Sequence, residues 1–223
     1  MSRYIDYLNE NKEEEILEIL WRDCKPFLNE HFKSKTSMGL LYRGSSSKSV
    51  KDIRKINVRK NREPRDVNIL IHNIFNDLFQ EKFGWKARSE GVFVVANKKY
   101  SSIYGKSHIF FPIGNYEYLW NPDITDLFGK LLRDPEIRKA ITGFVDLYGK
   151  SKKEQLEELL EIKKKDFKRI VDGYINYNLI WLIEHSSPNE IIFKCDKYYL
   201  INTRYEGAIK EKLKKQKIEK YLG

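Results

Sequence analysis

Three short segments of this 223-residue chain set polar side chains against apolar runs: Leu40-Leu-Tyr-Arg-Gly-Ser45, Gly91-Val-Phe-Val-Val-Ala-Asn-Lys-Lys-Tyr-Ser-Ser-Ile-Tyr104 and Asn189-Glu-Ile-Ile-Phe193. An arginine at the end of a buried strand requires an anionic or carbonyl partner. Arg43 therefore either closes a salt bridge at a strand edge or presents its fixed fork of donors to a ligand. Gly44, next in line, lets a ligand approach the backbone closely. Tyr100 and Tyr104 share one face of a short helix at i, i+4 spacing, which suits packing as well as an aromatic platform. Glu190 opens a strand of Ile, Ile and Phe, so its carboxylate either stands in solvent at the strand end or points into a cleft.

The elements that must position these residues mix helix and strand. Apolar residues at helical spacing over 13–33 predict an N-terminal helix that Pro26 kinks or divides. Gly39-Leu-Leu-Tyr42, closed by Arg43-Gly44, predicts a buried strand ending in a tight turn. A basic loop leads to a helix over 66–82 that Gly84 ends. Strands are expected at 92–95, 108–113 and 116–120, with a short helical piece at 98–104. From residue 123 to about 185 the pattern is helical, broken at Asp134-Pro135 and Gly149-Lys150, and reads as a helical insertion. A hairpin at 191–193 and 198–201 and a basic helix over 205–222 close the chain. Strands at both ends of the sequence must pair across the helical block, which gives an α+β class. The length fits a single domain over 1–223, with 1–37 as a helical N-terminal segment and 204–223 as the basic C-terminal helix.

Taken in order, the three segments resemble the ADP-ribosyltransferase superfamily, in particular the NAD site of the poly-ADP-ribose polymerase and diphtheria-toxin branch. That branch carries Leu-Leu-Trp-His-Gly-Ser, which Leu40-Leu41-Tyr42-Arg43-Gly44-Ser45 matches with Arg in place of His, as in the cholera-toxin-like branch. Its Gly-Ile-Tyr-Phe and Ser-Lys-Ser-Ala-x-Tyr are matched by Gly91-Val92-Phe93-Val94 and Lys99-Tyr100-Ser101-Ser102-Ile103-Tyr104. Its Asn-Glu-Tyr-Ile-Val is matched by Asn189-Glu190-Ile191-Ile192-Phe193. The resemblance covers about residues 38–114 and 186–202. Phe93 stands where the branch has Tyr. Pro188 takes the place of the first Glu in the Glu-x-Glu of arginine-modifying enzymes, which disfavours protein arginine as acceptor. The phrase Asn61-Arg-Glu-Pro-Arg-Asp66, with the helix, Phe-Gly and Arg-Ser that follow it, also looks like uncharacterised phage-associated proteins.

The resemblance implies a split β-sheet core and NAD as substrate, with no metal. Cleaving the nicotinamide–ribose bond passes through an oxocarbenium-like cation, which a carboxylate at the ribose stabilises. Glu190 takes that role by resemblance, with Arg43 as the second catalytic residue. Tyr104 stacks on the cationic nicotinamide ring, Gly44 and Ser101 hold its carboxamide, and Arg43, Ser45 and Phe93 complete the NAD site.

With 42 Lys and Arg against 32 Asp and Glu, the net charge is +10, and the charge is clustered. Residues 48–65 hold eight basic side chains against two acidic, and residues 204–220 hold seven against three. The acidic counterpart is 10–18, with five Glu and one Lys. Such runs are solvated surface as often as binding sites. Two of them in a basic chain favour nucleic acid as the acceptor, held by Arg59, Lys60, Arg62 and Arg65 and by Lys210, Lys212, Lys214 and Lys215, with a protein acceptor close behind and with contact to the NAD diphosphate as the alternative for Arg62 and Arg65. No run of about 20 apolar residues is present to span a bilayer, and the first residues lack the apolar core of a signal peptide. Two cysteines, Cys24 and Cys195, neither build a disulfide framework nor fill a zinc site. The expectation is a cytoplasmic transferase working in a bacterial host as a toxin or phage effector, with an antitoxin or inhibitor protein as a partner. The rival is an inactive fold of the same type, used as a basic nucleic-acid-binding or virion protein.

Overall fold

The computed structural model of the chain describes residues 2–33, 39–46, 51–64, 68–142 and 152–222. Helix α1 (Ser2–Asp23) stops at Cys24, and Pro26 falls in the first turn of α2 (Lys25–His31), where its missing N–H has no helical partner to lose. The chain continues through β1 (Leu41–Ser45), β2 (Ile53–Asn57), α3 (Ile69–Phe83), the one-turn α4 (Ala87–Glu90), β3 (Val92–Val94), α5 (Lys98–Ser101) with a 3-10 turn at Ser102–Tyr104, β4 (Lys106–Ile113) and β5 (Glu117–Trp120). Helices α6 (Leu127–Leu131), α7 (Pro135–Thr142), α8 (Lys152–Asp172) and α9 (Leu179–Glu184) precede strands β6 (Ile191–Lys194) and β7 (Lys197–Asn202), and α10 (Glu206–Leu222) follows.

The strands form two antiparallel sheets, ordered β1-β4-β7-β2 and β3-β6-β5, so the class is α+β. The sheets meet where Tyr42 and Val95 exchange N–H···O bonds of 2.8 and 2.9 Å. Period-2 alternation assigns each face a partner. Phe110 and Tyr198 turn toward Phe193 of the other sheet, with ring centroids 5.2 Å apart between Phe110 and each of them. Phe111 meets Phe27 of α2 edge-on at 5.7 Å, and the Tyr199 hydroxyl donates to Asp23 at 2.6 Å, so α1 and α2 cover the opposite face. In the smaller sheet Leu119 and Ile192 point the other way, into a core shared with α3 and α8. There Phe75 meets Phe167 at 5.1 Å and Phe79 meets Tyr174 at 4.9 Å. The helical stretch thus shares a core with the smaller sheet.

Three sequence readings are corrected. The strand does not close in a tight turn at Arg43-Gly44: β1 runs on to Ser45, with Arg43 opposite His108 and Gly44 opposite Ser107. The basic run is not all loop, because Ile53–Asn57 pairs with β7 as an edge strand, where exposed charges are the usual occupants. The helix over 66–82 begins at Ile69, where Asn68 caps it by accepting from the Leu70 N–H at 2.8 Å; Asp66 lies outside the described residues, as does the break at Gly149-Lys150. Gly84 ends this helix as expected, at φ +80°.

Candidate active site

Beyond the Tyr42–Val95 bridge, β1 and β3 pair no further among the described residues, and a cleft of about 930 Å³ opens between them. Arg43, Gly44, Ser45, Phe93, Ser101, Tyr104 and Glu190 all line it. β1, which carries Arg43, and β6, which Glu190 immediately precedes, are not adjacent. β3 lies between them, bridged to β1 and paired with β6.

Phe93 in that middle strand joins the two halves of the cleft. Its carbonyl accepts from Arg43 Nη1 at 2.6 Å, which gives the half-buried arginine the carbonyl partner its position requires. Arg43 also lies 5.9 Å from the ring centroid of Tyr198. The Phe93 ring points to the opposite side, where the guanidinium groups of Arg62 and Arg88 lie 4.4 and 4.5 Å from its centroid. Arg88 Nη1 then reaches Glu190 Oε1 at 3.0 Å. Glu190 sits at the mouth of β6, its N–H donating to Thr125 O at 2.8 Å. Asn189 anchors the same corner, its Nδ2 donating to the carbonyls of Asn121 and Pro122 at 2.8 and 3.1 Å. Burial pushes the Glu190 carboxyl above its ordinary value of 4.5; Arg88 and Arg62 pull it down and Asp126 adds to the rise.

Gly44 is required by packing. A Cβ there would stand 2.3 Å from Ser101 O and 2.7 Å from Tyr104 Cβ, so the 98–104 turn lies directly on the strand. The expected close approach is made by the protein's own turn. The strand period adds a second consequence. Tyr42 directs its N–H and C=O toward β3, and Gly44, two residues on, directs its own to the same side, into the cleft. Ser101 is 1% exposed and its hydroxyl is engaged inside the turn, donating to Lys98 O at 2.7 Å and lying 2.5 Å from Ser107 Oγ. Tyr104 stands half-exposed on the rim, its ring edge-on to Tyr100 at 6.2 Å.

The basic residues separate into two groups. Arg59 and Arg62 line the cleft, so part of the expected nucleic-acid surface belongs to the same site as Arg43. Lys60 is exposed and lies 3.5 Å from Asp196, and Arg65 lies outside the described residues. On α10, Lys210 pairs with Glu206 at 2.7 Å and Lys212 with Glu14 of α1 at 3.7 Å, while Lys214 and Lys215 face solvent. The Trp21 indole N–H also donates to Gln216 Oε1 at 2.5 Å, which binds the acidic N-terminal helix to the basic C-terminal one.

Arg88 was not singled out in the sequence, and a buried polar network holds it. Asn76 Oδ1 on α3 accepts from the N–H groups of Arg88 and Ser89 at 3.0 and 3.1 Å, and its Nδ2 donates to Ser89 Oγ at 2.7 Å. His72 Nε2 lies 3.0 Å from the same hydroxyl, and the Arg62 N–H donates to Ser89 O at 3.1 Å. The signal in the sequence was two polar residues, His72 and Asn76, among the apolar residues of α3. Asn76→Ala leaves two backbone donors without their acceptor, and a loss of about 1–3 kcal/mol is expected in denaturant unfolding.

Among the described residues no group of three or more His, Cys, Asp or Glu stands in position to hold a metal ion, and no helix is long and apolar enough to cross a membrane. Comparison of the chain with protein-family models, with curated proteins and with solved structures finds no match.

Proposed function

We propose that this chain is an ADP-ribosyltransferase of the split-sheet type, cleaving NAD in the cleft between β1 and β3 and passing ADP-ribose to a macromolecular acceptor. The observation that carries the reading is the convergence of Arg43, Gly44, Tyr104 and Glu190, from three distant segments, on one cleft. Nicotinamide presents a carboxamide with one acceptor and two donors, and the inward N–H and C=O of Gly44 are its complement. The ring stacks against Tyr104, and the ribose reaches Glu190. As the C1′–N bond breaks, its electron pair neutralises the pyridinium nitrogen, and the carboxylate stabilises the cation left at C1′. A nucleophilic O–H or N–H of the acceptor then bonds to C1′ and releases its proton.

Arg59 and Arg62 face this cleft, where a diphosphate needs cationic donors, and we assign them to NAD in place of the acceptor. Replacing both with Gln raises KM for NAD up to about tenfold, read from initial rates, with acceptor affinity little changed. The net charge of +10 keeps nucleic acid as the favoured acceptor. Incubation with adenylate-labelled NAD and a bacterial lysate, followed by separate nuclease and protease digestion, tests it. Label lost to nuclease is the expected result, and label lost to protease alone moves the acceptor to protein.

A further inference from the structure

Glu190 meets several groups across the cleft, and one of them holds it. Arg88 comes from α4, Arg62 from the segment after β2, Asp126 from the start of α6, Tyr104 from the turn after α5 and Tyr174 from the segment after α8. Of these, Arg88 makes the hydrogen bond, to Oε1 alone, and both side chains are mostly buried. The guanidinium lies over the Phe93 ring, 4.5 Å from its centroid, and Asn76 holds the main chain of Arg88 by accepting from its N–H at 3.0 Å.

We propose that Arg88 is a positioning residue for NAD cleavage: it orients the Glu190 carboxylate through Oε1 and keeps it ionised, leaving Oε2 for the ribose. The inference rests on the reading of Glu190 given above. Its physical basis is that a buried carboxylate facing a developing cation must carry its charge before the bond breaks, and burial opposes that charge. A fixed cation on one oxygen offsets the burial, and the fork geometry sets the plane of the carboxylate. Asp126 works against it, since its carboxylate pushes the Glu190 proton affinity up.

The test measures nicotinamide release by the full chain across pH for the unaltered protein, R88M and R88K. In the unaltered chain the acid limb of kcat lies above 4.5, the ordinary value for a glutamate. R88M keeps a long unbranched side chain but loses the charge, so the limb moves to higher pH. Its kcat at neutral pH falls at least about tenfold with KM for NAD nearly unchanged. R88K restores the charge without the fork, so its rate lies between the two and its limb moves back down; where R88M does not fold, R88K against the unaltered chain decides. R88M turning over normally overturns this inference alone. R88M and R88K equally slow with an unmoved limb also overturn it, since that pattern is structural damage. No nicotinamide release by the unaltered chain overturns the reading of Glu190 and this inference with it.

Discussion

Glu190→Gln is expected to lower nicotinamide release by about 100-fold or more at neutral pH while leaving NAD binding in place. The substitution keeps the size of the side chain and a carbonyl oxygen for Arg88 Nη1 to donate to, so the 3.0 Å contact has a replacement acceptor. What disappears is the negative charge beside C1′, and that charge matters in the transition state far more than in bound NAD. The loss therefore falls on kcat. Single-turnover rates beside equilibrium NAD binding separate the two quantities. Turnover unchanged in E190Q, or NAD binding lost together with turnover, contradicts the assigned role.

Gly44→Ala is expected to damage both the fold and the site. The new methyl meets Ser101 O at 2.3 Å, a backbone atom that cannot swing away, with Tyr104 Cβ at 2.7 Å behind it. Either β1 or the 98–104 turn must shift, and both carry NAD contacts in the proposed function. Overpacking of this kind costs about 1–3 kcal/mol, and NAD affinity falls at least about tenfold as Tyr104 and the Gly44 amide lose register. Gly207→Ala is the matched control. Nothing stands within 4 Å of its Cβ position in α10, so stability holds or rises by up to about 1 kcal/mol. Thermal melts and NAD titration read both effects. A G44A chain that melts and binds NAD like the unaltered one contradicts the packing account.

The three segments were legible in the sequence because each couples a buried apolar strand to a polar end, a local pattern that survives without tertiary information. The division of the N-terminal helix at Pro26 and the stop at Gly84 were legible for the same reason, since each is local backbone chemistry. β2 was not, because Ile53-Arg-Lys-Ile-Asn57 is an edge strand whose charges hide its apolar alternation. Arg88 was hidden by the shortness of α4, a single turn with too few residues to show a period. The surroundings of the basic runs were less legible. Composition records that Lys210 and Lys212 are cationic, but their pairing with Glu206 and Glu14 depends on which helices pack together. Likewise, that Arg59 and Arg62 face the same cleft as Arg43 follows from the path of the chain after β2.

The measurement closest to the central claim is the fate of NAD itself, followed by nuclear magnetic resonance with the purified 223-residue chain, with and without bacterial nucleic acid. The account predicts nicotinamide released in step with the loss of NAD, at a rate that collapses in E190Q, with ADP-ribose recovered free or on the acceptor. NAD left intact by the unaltered chain in the presence of nucleic acid and of protein lysate would contradict it, and would leave the cleft as the binding site of a fold that does no chemistry on this substrate.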